Sequence, residues 1–434
     1  MTDARVVLWG SMIGAVSWLE DREIGVFQYA PEFLASDIQI APLMMPLNEF
    51  PYEFPALPRN TFKGLPGLLA DALPDKFGNA VIDAWLASQG RSAESFNPVE
   101  RLCYVGKRGM GALEFEPAIL GPQSEQKKIE VERLVELANK ILAERSSLKG
   151  AFTGVDDREA MQTILRVGTS AGGARAKAIL AWNPKTGEFR SGQISADSGF
   201  EYWLLKFDGV KNNRDKELVD PLGYGKIEYA YYLMATAIGI KMTPCRIYEE
   251  GGRSHFMTKR FDRYGNGKKL HMQSLCAMAH YDFNQPASYS YEQALQVMKR
   301  LKLSREDIEQ QVLRTIFNVI ARNQDDHVKN IAFLMNRVGE WKLSPAFDVT
   351  YAYDPMGEWT SRHQMSINGK RDSFTRGDLI ALAKIAGIKE TQANEMIDTV
   401  NHAVLDWPMY AEKAGVEEAR MEQIQRTLQT NLKH

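Results

Sequence analysis

The first 120 residues are patterned as short strands followed by helices. Apolar and polar positions alternate between residues 5 and 29 with glycine breaks, which predicts an antiparallel meander. The predicted strands are 5–9, 13–18 and 25–29. Further along the chain, the spacing of apolar residues predicts a helical segment that Pro74 interrupts. A glycine-rich turn and another strand are predicted after it. These elements are predicted at 65–86, 106–111 and 112–116. A polar turn near residue 122 then leads into a charged helix at 128–145, so a domain boundary is predicted there.

The rest of the chain is patterned as strands first and helices afterwards. Strands are predicted at 163–167, 176–182, 201–207, 246–248 and 256–260. Helices are predicted at 227–238, 291–301, 305–322, 376–386, 391–403 and 416–432. This order is typical of a protein-kinase-like fold, although a fold alone does not determine function.

The predicted fold class is therefore α+β with two units. A small β-rich N-terminal subdomain spans 1–122, and a two-lobed protein-kinase-like domain spans 123–434. Within that domain we predict a β-rich lobe at about 123–260 and an α-helical lobe at about 261–434.

Composition and charge narrow the class of protein. The 434 residues carry 53 Lys and Arg against 55 Asp and Glu, which argues against nucleic-acid binding by bulk charge alone but leaves a local basic patch open. The 3 cysteines are widely spaced and fit neither a metal motif nor a disulfide framework, which indicates a reducing compartment. The apolar N-terminal stretch lacks the basic segment and cleavage site of a signal peptide. We expect a cytoplasmic protein without membrane contact.

One polar loop, at 323–330, suggests phosphoryl transfer. Kinase catalytic loops place the base Asp and a metal-binding Asn five residues apart, as Asp325 and Asn330 are here. After an apolar hairpin, Asp348 is placed to supply the second ligand of a magnesium ion, which needs few carboxylates beside phosphate oxygens. The alternative is a polar loop whose Asp and Asn side chains cap the backbone. For His327 we expect a ring hydrogen bond that anchors the loop.

A glycine-rich segment precedes Lys177. Its backbone N–H groups could approach phosphates, and a following cation could add charge. It is not a Walker A loop, because Ala174 occupies the position of the required lysine. Gly168, Ser170 and Gly172 match the G-x-S-x-G elbow of serine hydrolases, but that elbow joins a strand to a helix. Since strands are predicted on both sides here, a phosphate-covering loop is favoured over the elbow, and an ordinary hairpin turn stays open.

Lys206 is a lone cation in an otherwise apolar strand. Such a lysine must leave the core or meet a buried anion. Kinases use a strand lysine to hold the nucleotide phosphates and pair it with a helix glutamate, a role for which Glu228 is suitably placed. A surface-pointing lysine is the alternative.

Together these residues resemble the HipA family, serine/threonine-kinase toxins of bacterial toxin–antitoxin pairs, over nearly the whole chain. The matching segments, in family order, are 27–36, 73–75 (family "NLLPD"), 170–177 ("SVAGAQEK"), 203–207, 260–263 ("ERFDR"), 325–330 ("DGHAKN") and 345–349. Several separate motifs in one order make the resemblance specific.

The resemblance implies a role for each matching residue. Asp325 would be the general base, with Asn330 and Asp348 as Mg²⁺ ligands. Autophosphorylation of Ser170 would eject the glycine-rich loop and switch the kinase off. ATP contacts are implied for Gly172, Gly173, Ala174, Lys177, Lys206, Lys259, Phe261 and Asn330, with His327 and Glu228 as orienting residues.

Two positions depart from the family pattern. Asp326 stands where the family often has Gly, and Lys259 where it often has Glu. We expect the extra carboxylate of Asp326 either to reshape substrate choice or to be solvated. The implied partners are a helix-turn-helix antitoxin of the HipB type, operator DNA mainly through that antitoxin, and a protein substrate such as an aminoacyl-tRNA synthetase.

Four functions are thus open. The leading hypothesis is an ATP- and magnesium-dependent protein kinase toxin. A small-molecule kinase and a non-catalytic, nucleotide-binding corepressor of an antitoxin are the alternatives. A serine hydrolase at Ser170 is a distant fourth.

Overall fold

The computed structural model describes residues 2–119, 128–143, 161–165, 167–168, 175–192, 198–210, 222–265 and 267–433. All three cysteines lie in these ranges, and they are buried, free thiols. Among the helices of these ranges, none combines the length and the apolarity needed to cross a bilayer.

The N-terminal unit is built on an antiparallel four-stranded sheet with the order β3-β2-β1-β4. Its strands are β1 (Thr2–Leu8), β2 (Ser11–Leu19), β3 (Ile24–Tyr29) and β4 (Leu113–Glu116). Alternate residues such as Val6, Ile13 and Phe27 are fully buried. The predicted meander and the strand after the glycine-rich turn are therefore confirmed, because period-two alternation places one face of each strand in the core.

Five helices belong to the described part of the N-terminal unit, and the first and the last of them pack on this sheet. They are Pro31–Leu34, Arg59–Phe62, Gly67–Ala70, Lys76–Ser88 and Pro98–Val105. The break at Pro74 is confirmed, since Asp75 then caps the next helix by accepting the Gly78 N–H at 2.6 Å. The Pro98–Val105 helix was not predicted, although Asn97 and Glu100 form a capping box that is visible in the sequence.

A second sheet has five antiparallel strands in the order β6-β5-β7-β9-β8. They are β5 (Lys177–Trp182), β6 (Phe189–Ser191), β7 (Glu201–Lys206), β8 (Cys245–Glu250) and β9 (Arg253–Lys259). The helix Tyr224–Ala237, here called the glutamate helix, packs on β9. Gly225 allows this close approach, because a Cβ there would lie 2.6 Å from the Ser254 carbonyl oxygen.

The predicted strand at 163–167 is wrong. Residues 161–165 are helical, and Met161, Ile164 and Leu165 are buried at the spacing of one helix face. The apolar run was too short to separate a buried strand from a buried helix by its pattern. The predicted charged helix is confirmed as Val131–Ala143.

The C-terminal part is mostly helical. Its helices are Leu275–Ala279, Tyr291–Arg300, Arg305–Ile320, Arg376–Ile385, Glu390–Leu405, Trp407–Ala414 and Glu418–Gln425. A small antiparallel sheet joins β12 (His271–Ser274), β13 (Ala332–Met335) and β14 (Trp341–Leu343), after the two-residue strands β10 (Arg263–Tyr264) and β11 (Lys268–Lys269). The predicted final helix ends earlier than expected, and Trp407–Ala414 was not predicted.

Candidate active site

Lys206, the last residue of β7, is buried among charged groups and does not point to the surface. Its Nζ lies 2.5 Å from Glu228 Oε1 and also contacts Asp348 Oδ1. Arg175 lies 3.5 Å from the other Glu228 oxygen. The pairing predicted for Lys206 and Glu228 is thus present, and Glu228 lies in the second turn of the glutamate helix.

Opposite charges keep this cluster ionised. Burial alone would lower the pKa of Lys206, but the Asp348 and Glu228 carboxylates raise it above its usual value. Burial alone would likewise raise the pKa of Asp348, but Lys206 and then Lys177 hold that pKa at about 2. At neutral pH the site therefore presents an ammonium group beside an ionised carboxylate.

Asp348 adopts a backbone conformation that few non-glycine residues adopt. Its φ is 53°, in the left-handed region. Its side chain is 30% exposed, while that of its partner Lys206 is buried. Local strain of this kind concentrates where a side chain must be aimed for function.

Asp325 and Asn330 lie in contact within one loop. Asn330 Nδ2 donates to the Asp325 carbonyl oxygen at 2.7 Å, which leaves Asn330 Oδ1 as the group available to a ligand. The Asp325 side chain is 53% exposed, as a base that meets an incoming hydroxyl must be. Asn330, His327 and Asp348 line one cleft.

The hydrogen bond predicted for the His327 ring is not formed. Its Nε2 lies 3.8 Å from Asp325 Oδ1, too far for a hydrogen bond, and its buried Nδ1 has no partner among the described residues. The ring packs instead against Phe283, with 5.7 Å between centroids.

A magnesium ion fits the donors found here. Asn330 Oδ1 and the Asp348 carboxylate are the hard oxygen ligands that Mg²⁺ prefers. Within the described ranges no group of three or more His, Cys, Asp or Glu side chains could hold a metal. An ion bound by one carboxylate and one amide would complete its shell with phosphate oxygens and water.

The segment after β9 offers two backbone groups to a planar ligand. Lys259 N–H donates to the Pro244 carbonyl oxygen at 2.9 Å, but Pro244 has no N–H with which to return the bond to the Lys259 carbonyl. The Phe261 N–H has no acceptor within the described part of the chain. Lys259 and Phe261 are two of the residues for which the family resemblance implies contacts with ATP. The Lys259 side chain turns away and pairs with Glu201.

Lys177 contacts the N-terminal unit. Its Nζ lies 3.4 Å from Asp75 Oδ2, and both side chains are buried. Burial raises the pKa of Asp75 and lowers that of Lys177, so each group needs the other's charge to stay ionised. Asp75 was recognised only as part of a motif, and nothing in the sequence indicated that it meets Lys177.

The glycine-rich loop lies largely outside the described residues. Ser170, Gly172, Gly173 and Ala174 belong to this undescribed part. The flanking elements are a helix before the loop and β5 after it. This is the reverse of the strand-to-helix order that a nucleophile elbow requires.

Asp326 is not solvated, contrary to one of the two expectations for it. Its side chain is 1% exposed and accepts hydrogen bonds from Tyr291, His363 and Gln364. His363 had not been singled out in the sequence, since a lone histidine in a polar segment carries no signal of its own.

Comparison with known proteins agrees with this architecture. Residues 4–116 match the family model of the HipA N-terminal domain, and residues 169–407 match that of the HipA-like C-terminal domain. A solved structure titled as the Shewanella oneidensis MR-1 toxin–antitoxin system HipA, HipB and its operator DNA complex contains a similar chain. The match has a TM-score of 0.67 at 16% identity and covers 98% of this chain and 96% of that one. The structural match confirms the predicted fold class, and the family models confirm the resemblance: this chain belongs to the HipA family.

Proposed function

We propose that the protein is an ATP- and Mg²⁺-dependent serine/threonine-protein kinase that acts as the toxin of a toxin–antitoxin system. The observation that carries this proposal is the buried cluster of Lys206, Glu228 and Asp348. A strand lysine held between a helix glutamate and a loop aspartate is the arrangement that protein kinases use to hold nucleotide phosphates and metal.

Each group has a distinct task in this proposal. Lys206 presents its ammonium to the α- and β-phosphates, and Asn330 and Asp348 hold Mg²⁺, which neutralises charge on the transferred phosphoryl group. The substrate hydroxyl oxygen forms a bond to the γ-phosphorus while the bond to the ADP oxygen breaks. Asp325 accepts the hydroxyl proton.

The segment after β9, from Lys259 to Phe261 and here called the hinge, favours a purine nucleotide as the phosphate donor. The Lys259 carbonyl and the Phe261 N–H are an acceptor and a donor two residues apart, which suits the amino group and ring nitrogen of adenine. The Phe261 and Phe347 rings lie 5.6 Å apart beside them and add an apolar surface.

The biological setting rests on the family. The solved relative is described as a complex with HipB and operator DNA. We infer a HipB-like helix-turn-helix antitoxin as partner, with DNA contact mainly through it. A translation component such as an aminoacyl-tRNA synthetase is the target class that the family suggests, and phosphorylation of Ser170 is the off-switch.

Labelled ATP tests the activity directly. The purified protein is incubated with Mg²⁺, γ-labelled ATP and a cell extract, beside Asp325→Asn. The matched control is Asp372→Asn, which changes a surface aspartate paired with Arg362. We expect labelled protein with wild type and control, and label reduced at least about 100-fold with Asp325→Asn.

Growth provides the second arm of the test. Expression of wild type without an antitoxin should arrest growth, and Asp325→Asn should not. Label transferred only to a small molecule would favour the metabolite-kinase alternative. ATP binding with antitoxin binding and no transfer would replace the kinase by the corepressor.

A further inference from the structure

The carboxylate of Asp326, next to the proposed base, is held at both oxygens. Tyr291 Oη donates to Oδ2 at 2.7 Å, and His363 Nδ1 lies 2.8 Å from the same atom. The Gln364 N–H donates to Oδ1 at 2.7 Å. A carboxylate oxygen accepts hydrogen bonds, so we assign the donor role in this contact to His363 Nδ1. Three donors converging on one buried side chain leave it a single orientation.

The same network reaches the beginning of the loop. Tyr291 Oη accepts from Asn318 Nδ2 at 3.1 Å, and Asn318 Oδ1 accepts from Asn323 Nδ2 at 2.9 Å. Burial, and then the charge of Asp326, raise the pKa of Tyr291 far above its usual value, so its hydroxyl remains a donor. The loop is therefore tied to the helices Tyr291–Arg300 and Arg305–Ile320.

The other two donors to Asp326 are His363 and Gln364, which lie in the segment after Asp348, the proposed magnesium ligand. The His363 N–H donates to the Arg371 carbonyl at 3.0 Å, and the Ala287 N–H donates to the Gln364 carbonyl at 3.1 Å. One carboxylate thus joins the loop of the base to the segment downstream of the metal site.

Asp325 itself lacks such support. Within the described residues no donor reaches its carboxylate, and the His327 Nε2 atom lies 3.8 Å from its Oδ1. Its direction is therefore set by its own main chain. That main chain is held by the Asn330 amide on one side and by the buried Asp326 on the other.

We propose that Asp326 is a positioning residue for phosphoryl transfer: by anchoring the main chain beside Asp325, it aims the Asp325 carboxylate at the attacking hydroxyl. The inference rests on the proposed function. A displacement of a catalytic group by about 1 Å can cost about 100-fold in rate, which is the size of effect expected here.

Asp326→Asn and Tyr291→Phe test this role. An amide keeps the size of the side chain but cannot accept at both ends, so the anchor is weakened. We expect kcat to fall about 100-fold in Asp326→Asn with the KM for ATP within about twofold, since the nucleotide groups are untouched. Tyr291→Phe should lower kcat less, and the double variant should be no slower than Asp326→Asn, because both act through one anchor.

Asp378→Asn is the matched control. Asp378 is likewise buried and accepts from Asn368, Lys370 and Thr375, but it belongs to a different helix cap. We expect it to lower thermal stability as Asp326→Asn does while leaving kcat unchanged.

The possible outcomes distinguish the role inferred for Asp326 from the proposed kinase function. An active wild type with unchanged kcat in Asp326→Asn overturns the inference alone, as does an equal loss of kcat in Asp378→Asn. No phosphoryl transfer by the wild type overturns the proposed function and this inference with it.

Discussion

At the scale of single residues, the candidate site is defined by charges that have been removed from water and paired. Lys206 is buried and stays charged because Glu228 and Asp348 lie against its ammonium. An isolated ion at this depth would be driven to its neutral form. The pairing therefore supplies a permanent cation where the phosphates of a nucleotide would bind.

Replacing that cation tests its role. Lys206→Met should lower kcat/KM for ATP about 100-fold or more, because the methionine fills the space without stabilising the developing charge. Steady-state kinetics with varied ATP measures the effect. Lys241→Met, which breaks an exposed pair with Glu306, is the control and should behave as wild type. Equal kinetics in the two variants would contradict the assignment.

The dependence of the unfolding free energy on pH in the acid range tests the ion pair of Asp348. Its pKa is about 2 in the folded chain against 3.8 ordinarily, so its ionised form stabilises the fold above about pH 4. That contribution, roughly 2 kcal/mol, is lost as the pH falls through 2. Denaturant unfolding between pH 5 and 2 should show a shallower loss in Asp348→Asn than in wild type. Parallel curves would show that the pair does not form.

Some of these residues could be predicted from the sequence, and others could not. Asp325, Asn330 and Asp348 could be singled out because their spacing matches that of kinase loops. Lys206 could be singled out because it is a lone cation in an apolar strand. The contacts of Asp326 with His363 depend on a loop that returns across the molecule, and no local pattern encodes such a return.

At the scale of elements, β9 and the residue that pairs with its end shape the proposed nucleotide hinge. Pro244 faces Lys259 and accepts its N–H, but it lacks the hydrogen needed for the second bond of an antiparallel pair. The strand pairing therefore stops one bond early and leaves the Lys259 carbonyl available.

Pro244→Ala tests that arrangement. The new N–H at position 244 would point at the Lys259 carbonyl and compete with adenine for it. We expect the KM for ATP to rise about two- to tenfold, the value of one hydrogen bond, with kcat little changed. Pro184→Ala, in the turn after β5, is the control. An unchanged KM in Pro244→Ala would remove this carbonyl from the binding site.

Element prediction succeeded where the pattern was long and failed where it was short. The meander of β1 to β3 and the helix Arg305–Ile320 follow clear periods. The strand predicted at 163–167 overlaps the helical residues 161–165, because a short buried run satisfies both periods. The loop conformation of Asp348 depends on tertiary contacts and could not be predicted.

At the scale of the whole molecule, one helix of the N-terminal unit shares a core with the five-stranded sheet. Phe77 and Ile82 of the N-terminal helix Lys76–Ser88 pack in the same apolar cluster as Leu180 and Leu205 of the sheet. The cap of that helix, Asp75, is also the partner of Lys177 at the start of β5. The N-terminal unit therefore supports the strand that leaves the glycine-rich loop.

Asp75→Asn measures this connection. Asparagine keeps the helix cap but removes the charge, so Lys177 loses its counter-ion and the free energy of unfolding should fall by about 3 kcal/mol. Adding Lys177→Met should recover part of the loss, since no buried charge is then left unpaired. Chemical denaturation gives both values. Asp83→Asn, which breaks a more exposed pair with Arg101, should cost less than about 1 kcal/mol.

If Asp75→Asn proved no more harmful than Asp83→Asn, the buried pair would not join the two units. If the double variant were the least stable of all, Asp75 and Lys177 would act independently.

The central claim is phosphoryl transfer from ATP at the buried cluster of Lys206, Glu228 and Asp348, with Asp325 as the base. Its most direct test is to incubate the purified protein with ATP and Mg²⁺ and map phosphate by mass spectrometry, beside Asp325→Asn and Asp348→Asn. We predict phosphate on Ser170 in the wild type and none in either variant. Tight ATP binding without any phosphorylated residue or substrate would contradict the kinase, and absence of ATP binding would contradict the nucleotide site itself.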